Sequence, residues 1–119
     1  MTSFKKRIRP YIDQELIKAN KMMQSATPDL AFVYLERAHI LGQTLTGEHI
    51  RVHWHMLVWG LKTHRLSEVI GQILRIVGAA TKTAIGWVPE GNTGGANFSP
   101  FAPLPIPPDL AQIIKNARM

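Results

Sequence analysis

The strongest constraint on the fold is a series of helix boundaries that recur at short intervals. In "SATPDLAFVYLERAHILG", Thr27 stands as an N-cap and Pro28 takes the first helical position. Asp29 follows in the first turn, where the helix dipole favours a negative charge. Leu30, Tyr34, Ala38 and Leu41 then recur at helical spacing, and Gly42 closes the segment. Thr46 opens "GEHIRVHWHMLVWGLKTH", and Ser67 with Glu68 leads into "SEVIGQILRIVGAATKTA". Upstream, Ile12, Leu16 and Ala19 share a stripe of "FKKRIRPYIDQELIKANKMMQ", and Pro10 predicts that the ordered helix begins near it. Four helices joined by short turns imply antiparallel neighbours.

The expected architecture is all-α, one domain over residues 1–119. Residues 1–88 form two antiparallel helical hairpins, a tetratricopeptide-like four-helix bundle, and residues 89–119 form an arm docking on it. "TPDLAFVYLERAHIL" and "RLSEVIGQILRIVGA" fall at corresponding places, the second helix of each hairpin, although the full repeat consensus is missing. "GWVPEGNTGGANFSPFAPLPIPPDL" has no periodicity and is dense in Gly, Asn and Pro. Phe98, Phe101, Leu104 and Ile106 are too apolar for a free linker, so the arm is expected to run back over the helices and bury them. Each contributes on the order of 1.5–3 kcal/mol if fully covered. A short helix, "PDLAQIIKNA", ends the arm, with Pro108 near its start.

Composition narrows the chemistry. The chain has 119 residues, 45% of them hydrophobic, which suffices for a core without staples. It has no cysteine, which excludes disulfides, Cys-based zinc sites, iron–sulfur clusters and thiol catalysis. Fourteen Lys+Arg against eight Asp+Glu leave a formal charge of +6, which suits an acidic partner but also serves solubility alone. The N-terminus lacks the apolar run of a signal peptide, and Arg75 and Lys82 interrupt the most apolar segment, so no membrane span is expected and the cytoplasm is the default location.

The candidate chemistry lies in "HIRVHWHM", His49 to Met56. Residues four apart on a helix share a face and residues two apart do not, so His49 and His53 point together while His55 turns towards Arg51 and Lys62. Ile50, Trp54, Leu57 and Leu61 form one apolar stripe and Val52, Met56 and Trp59 another; His49 and His53 lie between them and should be partly buried. The preceding helix carries Glu36 and His39, three apart, and a short connection from Gly42 to Gly47 fixes the bend. Glu36, His39, His49 and His53 are thus a candidate zinc or iron set of the kind found in helical bundles, with Glu15 as a further carboxylate. The reading preferred on sequence grounds is a structural polar network, Glu36–His39–His53, because a buried histidine needs hydrogen-bond partners. No catalytic residue is assigned: Gly-x-Ser-x-Gly is missing, and a histidine–carboxylate pair alone lacks a nucleophile. His64 sits near a helix end, where a cation is favourable.

Other signals have simpler readings. The basic run "FKKRIR" suits phosphates, yet no nucleic-acid-binding pattern accompanies it, and a solvated, partly frayed terminus is preferred. "GNTGGAN" lacks the P-loop ending and a preceding strand, so turn chemistry explains it. "SPFAPLPIPP" fits intramolecular docking better than an SH3-type groove.

"LERAHILGQ", "HWHM" and "GNTGGANFSPFAPLPIPPDL", taken in order, resemble a small bacterial family catalogued as domain of unknown function 3703. The likeness covers nearly the whole chain. It implies a stand-alone bacterial helical protein, brings no activity or cofactor, and directs attention to His39, His49, His53 and His55.

The leading expectation is a small helical binding or interaction protein using a groove between hairpins, with an unknown protein or small-molecule partner and no enzymatic role. A metal-binding protein centred on Glu36, His39, His49 and His53 is the alternative. A nucleic-acid accessory protein acting through Lys5, Lys6, Arg7 and Arg9 is the third and least favoured. Oligomeric state is left open.

Overall fold

The computed structural model describes residues 2–82 and 105–119, and they form five helices with no strand among the described residues. They are α1 (Thr2–Gln24), α2 (Pro28–Gly42), α3 (Thr46–Lys62), α4 (Leu66–Lys82) and α5 (Pro108–Arg118). The helix starts and stops follow the sequence signals closely at Pro28, Gly42, Thr46 and Pro108. Phe98, Phe101, Leu104 and the "GNTGGAN" segment lie outside the described residues.

α1 departs from expectation. It runs through Pro10 rather than starting there. Proline removes one backbone donor and strains one turn. Ile8 and Ile12 are both fully buried and anchor the turns on either side of it. Arg7 also donates through Nε to the Ala117 carbonyl at 2.8 Å, which ties the N-terminal half of α1 to α5. The basic run is therefore helical, with Lys5, Lys6, Arg7 and Arg9 exposed.

α1 packs on α2, α2 on α3, α3 on α4, and α5 lies against α1 and α2. The core joins Ile8, Ile12, Leu16 and Ala19 of α1 to Ala31, Leu35, Ala38 and Leu41 of α2. Val52, Met56 and Trp59 come from α3, and Leu110 and Ala117 from α5. Ile106, just before α5, is half-buried and packs against this cluster. On α2 the C-terminal half of the expected stripe, Ala38 and Leu41, is buried, but in the N-terminal half Ala31 and Leu35 are buried instead, whereas Leu30 is 45% exposed. Both faces were apolar enough to serve there, and contact with α1 selects that of Ala31 and Leu35.

Two of the turns are built alike. After α1, Thr27 N–H donates to the Met22 carbonyl at 3.0 Å and Ala26 N–H to that of Met23 at 3.3 Å. After α3, Arg65 donates to Gly60 at 3.0 Å and His64 to Leu61 at 3.4 Å. This is the Schellman closure, which needs a left-handed residue. Ala26 and His64 take that role, each at φ 58°. Thr27 leaves its cap function unused; its hydroxyl donates to the Met22 carbonyl at 2.9 Å instead.

Candidate metal centre

The α2–α3 bend positions the site. His39 lies in the last turn of α2, while His49 and His53 occupy the first two turns of α3. The connection between them is three residues long, closed by Leu45 N–H on the Gly42 carbonyl at 3.0 Å. Gly42 permits a close approach here: a Cβ would stand 3.2 Å from both Glu48 Cβ and Ile12 Cδ1, so a larger residue would press on both neighbours.

All three histidines are buried, with exposures of 3%, 8% and 2% for His39, His49 and His53. Nε2 of His49 lies 2.9 Å from Nε2 of His39 and 3.1 Å from Nε2 of His53. The ring centroids are 4.7–4.8 Å apart. The donor atoms of the three side chains all fall within 4.8 Å of one another, the grouping a metal ion requires.

The proton positions follow from the neighbouring amide. Gln72 of α4 gives its Nε2–H to the Glu68 carboxylate, which only accepts, so its Oε1 faces the site. That oxygen lies 2.6 Å from His53 Nδ1, which must carry the proton. His53 Nε2 therefore holds a lone pair directed at the other two rings. Burial pushes the pKa of His53 down to about 4, partly offset by the Gln72 bond and reinforced by Arg75, so the ring is neutral at pH 7. With His53 Nε2 accepting, a single proton on His49 Nε2 would have to serve both neighbours, or two N–H groups would meet. A cation would accept all three lone pairs at once.

The sequence set is thus only partly assembled. His39, His49 and His53 converge. Glu36 is half-buried one turn before His39 and is not among the three side chains of the cluster. Glu15 is engaged elsewhere, bonded to Arg37 Nε at 2.9 Å. His55 faces away, lining a groove with Arg51 and Lys62. Sequence reasoning missed Gln72 and Glu68. Their signal was a polar i, i+4 pair within "SEVIGQILRIV", where Gln72 interrupts an otherwise apolar run and is fully buried. Gly60 lets α4 come close enough to supply them, since a Cβ there would lie 3.0 Å from Val69 Cγ2.

Fold and cluster together define a protein whose described elements are all helices and which holds a buried three-histidine centre. The chain belongs to the family described as Protein of unknown function (DUF3703), whose model matches residues 6–114. No curated protein and no solved structure matches it. No helix among the described residues is long and apolar enough to cross a membrane.

Proposed function

We propose that this chain is a metal-binding protein that holds one divalent transition ion, of the zinc or iron class, through Nε2 of His39, His49 and His53. The convergence of the three Nε2 atoms carries the reading. Ligand nitrogens about 2.0–2.1 Å from a tetrahedral ion stand roughly 3.3 Å apart, close to the observed spacing of two of the pairs. Neutral, nitrogen-only donors favour zinc, iron or their neighbours over calcium or magnesium. Three protein ligands leave a fourth position for water or an exogenous ligand. The Glu68–Gln72–His53 chain is the outer support that fixes ring orientation and tautomer in such sites. Isothermal titration of tag-free protein with zinc should give one ion per chain, and His39→Ala or His53→Ala should abolish it. Absence of binding in the unaltered chain would refute the reading.

A groove gives the binding-protein reading its own support. A cavity of about 550 Å³ lies between α1, α2 and α3, lined by Leu16, Leu35 and Trp59 and by Arg51, His55 and Lys62. Arg51 is already paired with Asp13, which also lines the cavity, so Lys62 is the lining cation that a small amphipathic anion would meet. Quenching of tryptophan fluorescence by decanoate, lost in Lys62→Glu, would test it. The contacts of Arg37 with Glu15 and of His53 with Gln72 support pairing the helices as two hairpins, loosely tetratricopeptide-like.

A further inference from the structure

α4 carries an apolar face that its packing on α3 leaves open. Leu66, Ile70, Ile73, Leu74 and Val77 are each between 50% and 70% exposed. At 100° per residue they occupy one side of the helix, while Glu68, Gln72 and Arg75 occupy the opposite side. Trp54 and Leu61 of α3, seven residues apart and so on one face, are 57% and 58% exposed. Gly60 meets Val69 and His53 meets Gln72, so α3 and α4 run in opposite directions side by side. In that arrangement both sets fall on the same side of the helix pair.

We propose that this face is the interface with a second copy of the chain. The seven side chains together expose on the order of 700 Å² of apolar surface, more than the roughly 300–600 Å² of the largest patch on a typical monomer. It is close to the ~800 Å² each partner brings to a standard interface. The spacing 66, 70, 73, 77 alternates four and three, which is the seam of a helix pair. Two antiparallel copies of α4 related by a twofold axis between Gly71 and Gln72 set Ile70 against Ile73 and Leu66 against Val77. Every facing position is then apolar on both sides, which is the self-complementarity that a twofold interface requires. None of the seven is charged, so two chains of formal charge +6 meet there without pairing like charges.

Sedimentation equilibrium of the full chain tests this. The expected mass is twice the chain mass of 13.3 kDa, falling to one chain in the double variant Ile70→Glu/Ile73→Glu with the helical circular dichroism retained. Since the chain has no cysteine, mixing Ile70→Cys chains with Ile73→Cys chains should give a 70–73 crosslink under mild oxidation, faster than any crosslink to Val33→Cys on the exposed surface of α2. The crosslink decides the matter if the charged variant fails to fold. A monomer from low to high micromolar concentration, a dimer that survives the charged variant, or crosslinking no faster than with Val33→Cys would overturn the proposal. A monomer that binds neutral phosphatidylcholine vesicles through the same residues would also overturn it, making the face a membrane contact.

Discussion

His53 Nδ1 and Gln72 Oε1 stand 2.6 Å apart, a bond that joins the histidine cluster of α2 and α3 to α4. It fixes which nitrogen of His53 faces the cluster.

Replacing Gln72 with Leu should therefore weaken metal binding without removing a ligand. Loss of an outer-shell partner typically costs about 10–100-fold in affinity. Gln72→Glu alone would set a second carboxylate against Glu68, but paired with Glu68→Gln it keeps both the acceptor for Nδ1 and the Glu–Gln bond, and this double variant should restore most of it. Competition with a chromophoric chelator measures both. Equal affinity in the Leu variant and the unaltered protein would mean that the tautomer is not set by Gln72.

The metal-free protein should lose stability on mild acidification. Folded His53 binds its proton only near pH 4, whereas the unfolded ring titrates near 6.5. Between these values the unfolded chain binds more protons, so stability is complete above pH 6.5 and is lost as pH falls through about 4. The gap corresponds to on the order of 3 kcal/mol. Urea midpoints at pH 7.5, 6 and 4.5, with His53→Asn for comparison, should show a steeper decline in the unaltered chain.

Arg37 binds three helices together. It donates to Glu15 of α1 and to Asp109 of α5. The Glu15 side chain is only 6% exposed, so Arg37→Met leaves a buried carboxylate without its cation and should cost roughly 2–4 kcal/mol. Asp109, 58% exposed, pairs in solvent, and Asp109→Asn should cost under about 1 kcal/mol. Chemical denaturation separates the two, and similar losses would contradict the assignment.

The histidine pairings were legible because two rules suffice: four-residue spacing aligns His49 with His53, and a three-residue bend faces them to the end of α2. Glu36 shares a helix face with His39 as the spacing implies, but the three-histidine group does not include it. Gln72 was missed because the amphipathic pattern of α4 would turn Leu66, Ile70, Ile73 and Val77 to the core, whereas the opposite, polar side meets α3. Trp54 and Leu61 read as part of one of two apolar stripes; tertiary contact buries Val52, Met56 and Trp59 and leaves those two exposed. Pro10 read as a helix start because the buried anchors on both sides of it depend on α2 and α5.

His64 closes α3 in a left-handed conformation, at φ 58°, which costs a residue with a side chain about 1 kcal/mol. His64→Gly should raise the urea midpoint by about that energy and leave metal affinity unchanged, since the ring is exposed and remote from the cluster. A destabilised variant would show that the imidazole contributes more to the turn than its backbone costs.

X-ray absorption at the zinc edge tests the central claim most directly. Reconstituted protein should give three imidazole nitrogens at about 2.0–2.1 Å with one oxygen ligand completing the shell. His49→Ala should reduce the imidazole count by one. A shell dominated by carboxylate oxygen or water, or a spectrum indifferent to His49, would contradict it.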